Sequence, residues 1–298
     1  MDKFLQKETG VPLWIIALGM FALTILVTYI IAYVSVIIHM LDHLNWWGNP
    51  DPQELTWAIL TFFSLATLYP LGALIYAFYS ISDSQTKKFF DRYAGSRLNE
   101  KEEEMFRGFI SEASSYTGEF DASTIRKYES ADINAWALGT TDAGYMSFSS
   151  ETLKLPEKEI KGIFYHELGH LVTKDTQKAA FAKAFQEAVI SFGLVTPLKN
   201  ILRYTFFIMT QLVLMKVSRD REYRADQFAI EADPDCGVLG ALESIRASNY
   251  EVVNPDELDV YMFSLKFEED SVFATHPTLD NRIIRIVDKK AASSYTSA

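Results

Sequence analysis

The sequence predicts a hairpin of two membrane helices followed by an α+β domain with a small β-sheet. Residues 9–41 and 55–82 contain no Asp, Glu, Lys or Arg. Each run is longer than the roughly 20 apolar residues that a bilayer span needs. After residue 82, helical periodicity alternates with short runs of β-forming residues. We therefore expect a membrane region at residues 1–82 and a second domain at residues 83–298.

Composition excludes several other classes of protein. The net charge of −11 argues against non-specific nucleic-acid binding, so no nucleic-acid partner is expected. One cysteine, Cys236, excludes a disulfide framework and fits a reducing compartment. The first apolar run is too long for the core of a signal peptide, which has roughly 7–15 residues. A transporter or channel is disfavoured because no charged side chain interrupts either run.

The distribution of basic residues predicts the orientation in the membrane. The loop at residues 42–54 has no Lys or Arg, whereas both flanks do. The flanking basic residues are Lys3, Lys7, Lys87, Lys88, Arg92 and Arg97. Basic residues stay on the cytoplasmic side. We expect a multi-pass protein of the cell's inner or plasma membrane, with the N-terminus and the second domain in the cytoplasm.

A third hydrophobic segment, residues 179–215, is interrupted by four charged residues. Its uncharged runs, residues 188–198 and 204–215, are shorter than a span. Two interpretations stay open: a helical hairpin that lies in or shallowly enters the membrane, and two short spans. Either one returns the chain to the same side.

The second domain is predicted to contain helices and at least three strands. Apolar residues at helical spacing predict a helix over residues 99–116. Strands are predicted at residues 124–128, 135–139 and 145–149. Pro156 begins a further helix, because its fixed φ suits a first turn, and this helix continues past His170.

The residues that carry chemistry are concentrated in His166-Glu167-Leu168-Gly169-His170. Positions i and i+4 of a helix share a face, so both imidazoles can bind one metal ion. Glu167 lies beside them, where it can take a proton from water. This is the H-E-x-x-H pattern of zinc peptidases. The alternative, a helix with two surface histidines, is weakened by the apolar residues 163–165.

A catalytic zinc requires a third protein ligand. The extended H-E-x-x-H-x-x-G-x-x-H pattern is absent, since positions 173 and 176 are both threonine. His39 and His43 lie at the far membrane face in the predicted topology. A downstream carboxylate and His276 are therefore the two candidates.

The carboxylates Glu222 and Asp226 favour the first of these candidates. They are again four positions apart, so Glu222 can bind the metal while Asp226 accepts a hydrogen bond from a ligand histidine and fixes its orientation. The alternative is a solvated helix face on which Arg219, Arg221 and Arg224 pair with acids.

These residues resemble the HtpX-like membrane zinc metallopeptidases, gluzincins related to the prenyl-protein proteases. Besides the two segments above, Asn134-Ala135-Trp136-Ala137-Leu138-Gly139 and Thr275-His276-Pro277-Thr278-Leu279-Asp280-Asn281-Arg282 match the family's motifs. The resemblance implies a zincin-like metalloprotease domain with its sheet beside the H-E-x-x-H helix. It implies one zinc per chain and cytoplasmic cleavage of misfolded or membrane proteins. The alternative is an inactive zinc-binding scaffold, which the intact Glu167 disfavours.

The resemblance also implies roles for two further residues, and a third is expected to support them. It places His276 and Asn134 near bound substrate, and we expect His276 to stabilise the oxyanion of the transition state. Arg282 is expected to support the site through Asp226 or backbone carbonyls. We expect an extended substrate to add itself to the sheet along residues 134–139. The alternative for these strands is a closed core hairpin.

Overall fold

The structure, a computed structural model, describes residues 11–46, 48–49, 51–117, 120–192, 219–233, 235–248 and 277–296. The described residues form two compact units. The first unit contains Val11–Ser80 and the end of a helix from Phe181 onward. The second unit contains the described residues within Ile81–Ala180 and Gln211–Ala298.

The first unit is built on two long apolar helices, α1 (Leu13–Trp46) and α2 (Pro52–Ser80). Both are long and apolar enough to cross a membrane, which confirms the prediction of two long apolar helices. Large apolar side chains such as Leu18 and Leu68 are exposed on their outer faces. Such surfaces suit a lipid environment, because lipid tails are as apolar as the side chains that meet them.

Pro70 lies inside α2 and has no N–H to donate to the carbonyl of Ala66, one turn earlier. Thr28 of α1 lies beside that carbonyl, with its Oγ1 2.9 Å from the oxygen of Ala66. The same hydroxyl also lies near carbonyls of its own helix, but those already accept backbone N–H groups. In an apolar environment an unsatisfied carbonyl is costly, and a neighbouring Thr can satisfy it. Thr28 therefore compensates for Pro70.

We predict that Thr28→Val destabilises the full-length protein mainly when Pro70 is present. Interhelical hydrogen bonds of this kind average about 0.6 kcal/mol and reach about 1.7 kcal/mol. We expect a loss in that range, and a clearly smaller loss in a Pro70→Ala background, where residue 70 regains its N–H. Unfolding in mixed micelles measures both. The control is Thr56→Val, whose hydroxyl bonds the Pro52 carbonyl of its own helix. Equal losses in the two backgrounds would contradict the compensation.

The second unit combines helices with a four-stranded sheet. Its helices are α3 (Asp83–Tyr93), α4 (Glu100–Glu112), α5 (Ser114–Thr117), α6 (Glu157–Val172), the first residues of α7 (Asp175–Phe192), α8 (described over residues 219–232), α9 (Gly237–Ala247) and α10 (Leu279–Thr296). Its strands are β1 (Ser96–Arg97), β2 (Ile125–Tyr128), β3 (Ala135–Leu138) and β4 (Tyr145–Ser149).

The sheet has the strand order β1-β2-β4-β3. β4 pairs in parallel with β2 and antiparallel with β3, and β1 pairs antiparallel with β2. Among the described residues β3 is therefore an edge strand. Both faces of β3 are buried, which accounts for its continuous apolar sequence.

Residues of alternating size on β3 face two different cores. Ala135 and Ala137 belong to the core that also contains the apolar residues of α6. Trp136 and Leu138 point the other way and pack with Phe90 of α3. Successive strand residues face opposite sides, so the two alanines allow α6 to approach the sheet closely.

The predicted strands and the helix after Pro156 correspond to observed elements with small shifts at their ends, whereas the helix predicted over residues 99–116 is divided into α4 and α5. Asn99 caps α4 in a reciprocal capping box with Glu102, and Pro156 immediately precedes α6. The sequence did not predict β1 or the parallel pairing of β2 with β4. α7 begins at Asp175, before the predicted hydrophobic insert at residues 179–215. Residues 193–215 of that insert lie outside the described residues.

Candidate metal centre

α6 carries the H-E-x-x-H segment through the middle of the second unit. Glu157 and Glu159 lie in its first turn, where the helix dipole favours negative charge. Every residue from Gly162 to Val172 is buried. The polar segment therefore lies inside the protein rather than on a solvated helix face, unlike the surface alternative considered from the sequence.

Glycines allow other helices to approach α6 at backbone distance. A Cβ on Gly162 would lie 2.0 Å from the backbone nitrogen of Val238, so α9 can cross only at a residue without a side chain. A Cβ on Gly169 would lie 3.2 Å from Cα of Ala225 on α8. Glycine in a helix interior costs about 1 kcal/mol relative to alanine. Glycines inside a predicted helix are therefore a signal in the sequence that could have indicated these close contacts.

His166, His170 and Glu222 converge at the contact of α6 with α8. Nε2 of His166 lies 3.3 Å from Oε2 of Glu222, and Nε2 of His170 lies 3.6 Å from Oε1. The ligand atoms of the three residues all lie within 4.8 Å of one another. Tetrahedral zinc ligands at 2.0–2.2 Å from the metal are roughly 3.3–3.6 Å apart. The three side chains therefore fit one zinc ion.

Glu167 is fully buried beside this group. Neither of its carboxylate oxygens has a hydrogen-bond partner within the part of the chain that the structure describes. Burial raises the pKa of Glu167 to about 8, the charge of Glu222 acts in the same direction, and nearby cationic groups oppose it. A divalent cation at the three ligands would favour the charged form and lower this pKa. Burial and a bound cation would thus act on the pKa of Glu167 in opposite directions.

Asp226 contacts Nδ1 of His166, and Arg282 in turn contacts Asp226. Oδ1 of Asp226 lies 2.9 Å from Nδ1 of His166. Arg282 donates to both oxygens of Asp226, at 2.9 Å from Nε and 2.7 Å from Nη2. All three side chains are buried. When Asp226 accepts from Nδ1–H, the lone pair of Nε2 is left for a metal, as in the carboxylate–histidine–zinc arrangement.

Charges around the site set the protonation of its members. Burial alone would lower the pKa of His166, but its hydrogen bonds with Asp226 and Glu222 outweigh this and raise it. Burial lowers the pKa of His170 well below its usual value, which keeps this imidazole neutral. Burial would raise the pKa of Asp226, but the Arg282 guanidinium lowers it. A neutral His170 and a charged Asp226 are the forms that metal binding requires.

Asn134 and His276 are the two remaining site residues predicted from the sequence. Asn134 is buried directly before β3, where its backbone N–H donates to Oγ1 of Thr152 and its Oδ1 accepts from the N–H of Ala135. His276 lies outside the described residues. Arg221 is buried and donates to Oε1 of Glu222 at 2.9 Å, a contact that no sequence motif predicts. Only the general expectation of arginine–acid pairs covered it.

Two histidines one turn apart, a carboxylate as the third ligand and a further buried carboxyl form the arrangement of a metallopeptidase site. The chain belongs to peptidase family M48, whose model matches residues 97–290. The prediction made from the four motifs is therefore confirmed at the level of the family.

Curated relatives are HtpX proteases. The chain is 29% identical to the Protease HtpX homolog of Fusobacterium nucleatum, over 54% of this chain and 61% of that protein. It is 28% identical to Protease HtpX of Stutzerimonas stutzeri, over 51% and 61%. The chain thus spans about three fifths of the length of these relatives. Among solved structures, S. mikatae Ste24p is 18% identical, with a TM-score of 0.45, over 93% of this chain and 66% of that one.

We predict that Asp226→Asn weakens zinc binding without removing it. An amide can present its N–H rather than an oxygen to Nδ1 of His166, and loss of such a supporting contact costs 10–100-fold in metal affinity. Competition with a chromophoric chelator measures the change. Asp280→Asn is the matched control, because Asp280 is exposed on α10 and pairs with Arg246. Unchanged affinity in Asp226→Asn would show that Asp226 does not orient a ligand.

Proposed function

We propose that this protein is a zinc-dependent integral-membrane endopeptidase that cleaves misfolded or membrane proteins on the cytoplasmic side. The observation that carries the proposal is the buried carboxyl of Glu167 beside His166, His170 and Glu222, which has no hydrogen-bond partner among the described residues. Burying such a group costs free energy. A structural zinc site has no use for it, whereas a hydrolase needs a proton carrier there. The proposal includes a zincin-like domain that holds one zinc per chain.

His166, His170 and Glu222 hold the zinc in the proposed mechanism. When bound, zinc activates water and polarises the carbonyl of the scissile peptide. Glu167 takes the proton of the attacking water and delivers it to the leaving amine nitrogen. Asp226 holds His166 in the tautomer and orientation that binding requires, and Arg282 holds Asp226.

β3 supports a mode of substrate binding by strand addition. It is an edge strand among the described residues, and its helix-facing alanines pack in the same core as α6. An extended peptide could add to such an edge by main-chain hydrogen bonds. The enzyme would then recognise extended conformation more than sequence, which suits unfolded clients. In this proposal Asn134 contacts substrate and His276 stabilises the oxyanion.

The orientation is proposed from charge. Lys87, Lys88 and Arg92 follow α2 directly and are exposed on α3. Basic residues next to a span favour the cytoplasmic side. The protease domain is therefore assigned to the cytoplasm and the loop between α1 and α2 to the other side.

We predict that Glu167→Gln keeps the zinc and loses turnover. The ligands are retained and only the proton carrier is removed. Cleavage of an unfolded protein such as casein should therefore fall by about 10²–10⁴-fold. Metal analysis of the purified full-length protein should still find one zinc. A chelator should abolish wild-type activity.

Two variants complete this experiment. Glu157→Gln changes an exposed acid at the start of the same helix and should leave activity unchanged. Glu222→Ala should lose zinc, since it removes a ligand. Full turnover in Glu167→Gln would refute the mechanism. Full zinc content in Glu222→Ala would return the third ligand to His276.

We predict that reporters fused at Gly48 are extracytoplasmic and that reporters at Arg97, Cys236 or Ala298 are cytoplasmic. The expectation follows from the basic residues that flank the two helices. Paired reporters, active on opposite sides of the membrane, measure each position. An extracytoplasmic position of Ala298 would imply an odd number of spans and refute the orientation.

A further inference from the structure

The helix that carries the two histidines ends in a tight turn. α6 ends at Val172, Lys174 has a φ of 57°, and Asp175 begins α7. A non-glycine residue in the left-handed region costs free energy and persists only where surrounding contacts determine the backbone. The contacts that hold this turn should therefore be specific.

Asp175 is at the centre of these contacts. Its Oδ2 lies 2.7 Å from Oγ1 of Thr173, and its Oδ1 lies 3.1 Å from Nζ of Lys178. Nη2 of Arg224 lies 3.1 Å from both oxygens. The side chains of Asp175, Lys178 and Arg224 are only 2%, 8% and 15% exposed. We call these four residues the Asp175 corner.

Stability alone explains the Asp175 corner poorly. A buried ion pair loses hydration on folding, and apolar replacements of similar volume are often as stable. Nε of Arg224 is also buried without a hydrogen-bond partner among the residues described. A requirement for position accounts better for charged groups held at this cost, because charged pairs tolerate fewer arrangements than apolar contacts do.

Arg224 connects the corner to the metal-binding side chains. It lies two positions after Glu222 on α8, so the two side chains leave the helix about 200° apart. Glu222 points to His166 and His170, and Arg224 reaches Asp175, 49 positions earlier in the chain. α8 is therefore held on two sides, and it cannot rotate about its axis without breaking the contact with Asp175.

We propose that the Asp175–Arg224 pair is a positioning contact that fixes the rotation of α8 against the end of α6 and thereby places Glu222 against the two histidines. This inference rests on the proposed function, because that placement matters only when the three side chains hold zinc. Arg224 acts through Glu222 and touches neither metal nor substrate.

The variant Arg224→Met separates positioning from simple electrostatics. Removal of a cation near a metal site favours binding of Zn²⁺ by Coulomb's law. Loss of a positioning contact acts in the opposite direction, typically by 10–100-fold in affinity for outer contacts. We expect zinc binding to the full-length protein in detergent to weaken by about 10-fold. The visible absorption of the Co²⁺-substituted protein, which reports ligand geometry, should also change.

Three further variants test the pair itself. Arg224→Lys keeps the charge but not the planar guanidinium, and it should recover part of the affinity. Asp175→Asn should weaken binding, and the double variant with Arg224→Met should be no weaker than the weaker single variant, because both break one contact. Arg246→Met removes an exposed pair with Asp280 in the same unit and should change nothing. If Arg224→Met does not fold, Arg224→Gln replaces it.

Unchanged or tighter zinc binding in Arg224→Met, with a native Co²⁺ spectrum, would overturn the inference. A lower melting temperature with unchanged affinity would assign the pair to stability alone and overturn it equally. These results leave the proposed function intact if the wild type binds zinc and Glu167→Gln is inactive. A wild type that binds no zinc would overturn the proposed function, and this inference with it.

Discussion

The close approach of helices to α6 is the constraint on which the rest of the site depends. A metal centre built from two helices needs their backbones near enough for short side chains to meet. Gly169 provides this distance to α8, and Gly162 provides it to α9. The same approach buries His166, Glu167 and His170 completely or nearly so. Burial in turn obliges every charged group nearby to find a partner.

The buried charges satisfy this requirement largely among themselves. Asp226 and Arg282 form a pair with two hydrogen bonds, and Glu222 accepts from Arg221. The charges of the two acids and the two arginines cancel. The second unit can therefore enclose these four side chains without burying a net charge. Glu167 is additional to this balance, and burial accordingly raises its pKa. A bound divalent cation would add the positive charge that its ionised form lacks.

The local part of the site could be predicted from the sequence, because helical periodicity alone relates His166 to His170 and Glu222 to Asp226. The capping box at Asn99 and the start of α6 after Pro156 are local for the same reason. Contacts between distant segments could not be predicted in this way. The parallel pairing of β2 with β4 depends on packing that no short pattern encodes. The contact of Arg224 with Asp175 likewise depends on packing between segments that are distant in the chain.

In both units, particular buried polar groups receive a partner from another part of the chain. In the first unit, Thr28 of α1 donates to the Ala66 carbonyl that Pro70 cannot satisfy. In the second, Asp226 of α8 meets His166 of α6. Nε1 of Trp136, Nε of Arg224 and both oxygens of Glu167 lack a partner among the described residues. Arg224 is paired through its other nitrogens, whereas neither polar atom of the Glu167 side chain has a partner among the described residues. In the proposed mechanism this carboxyl is the one that takes the proton of the attacking water.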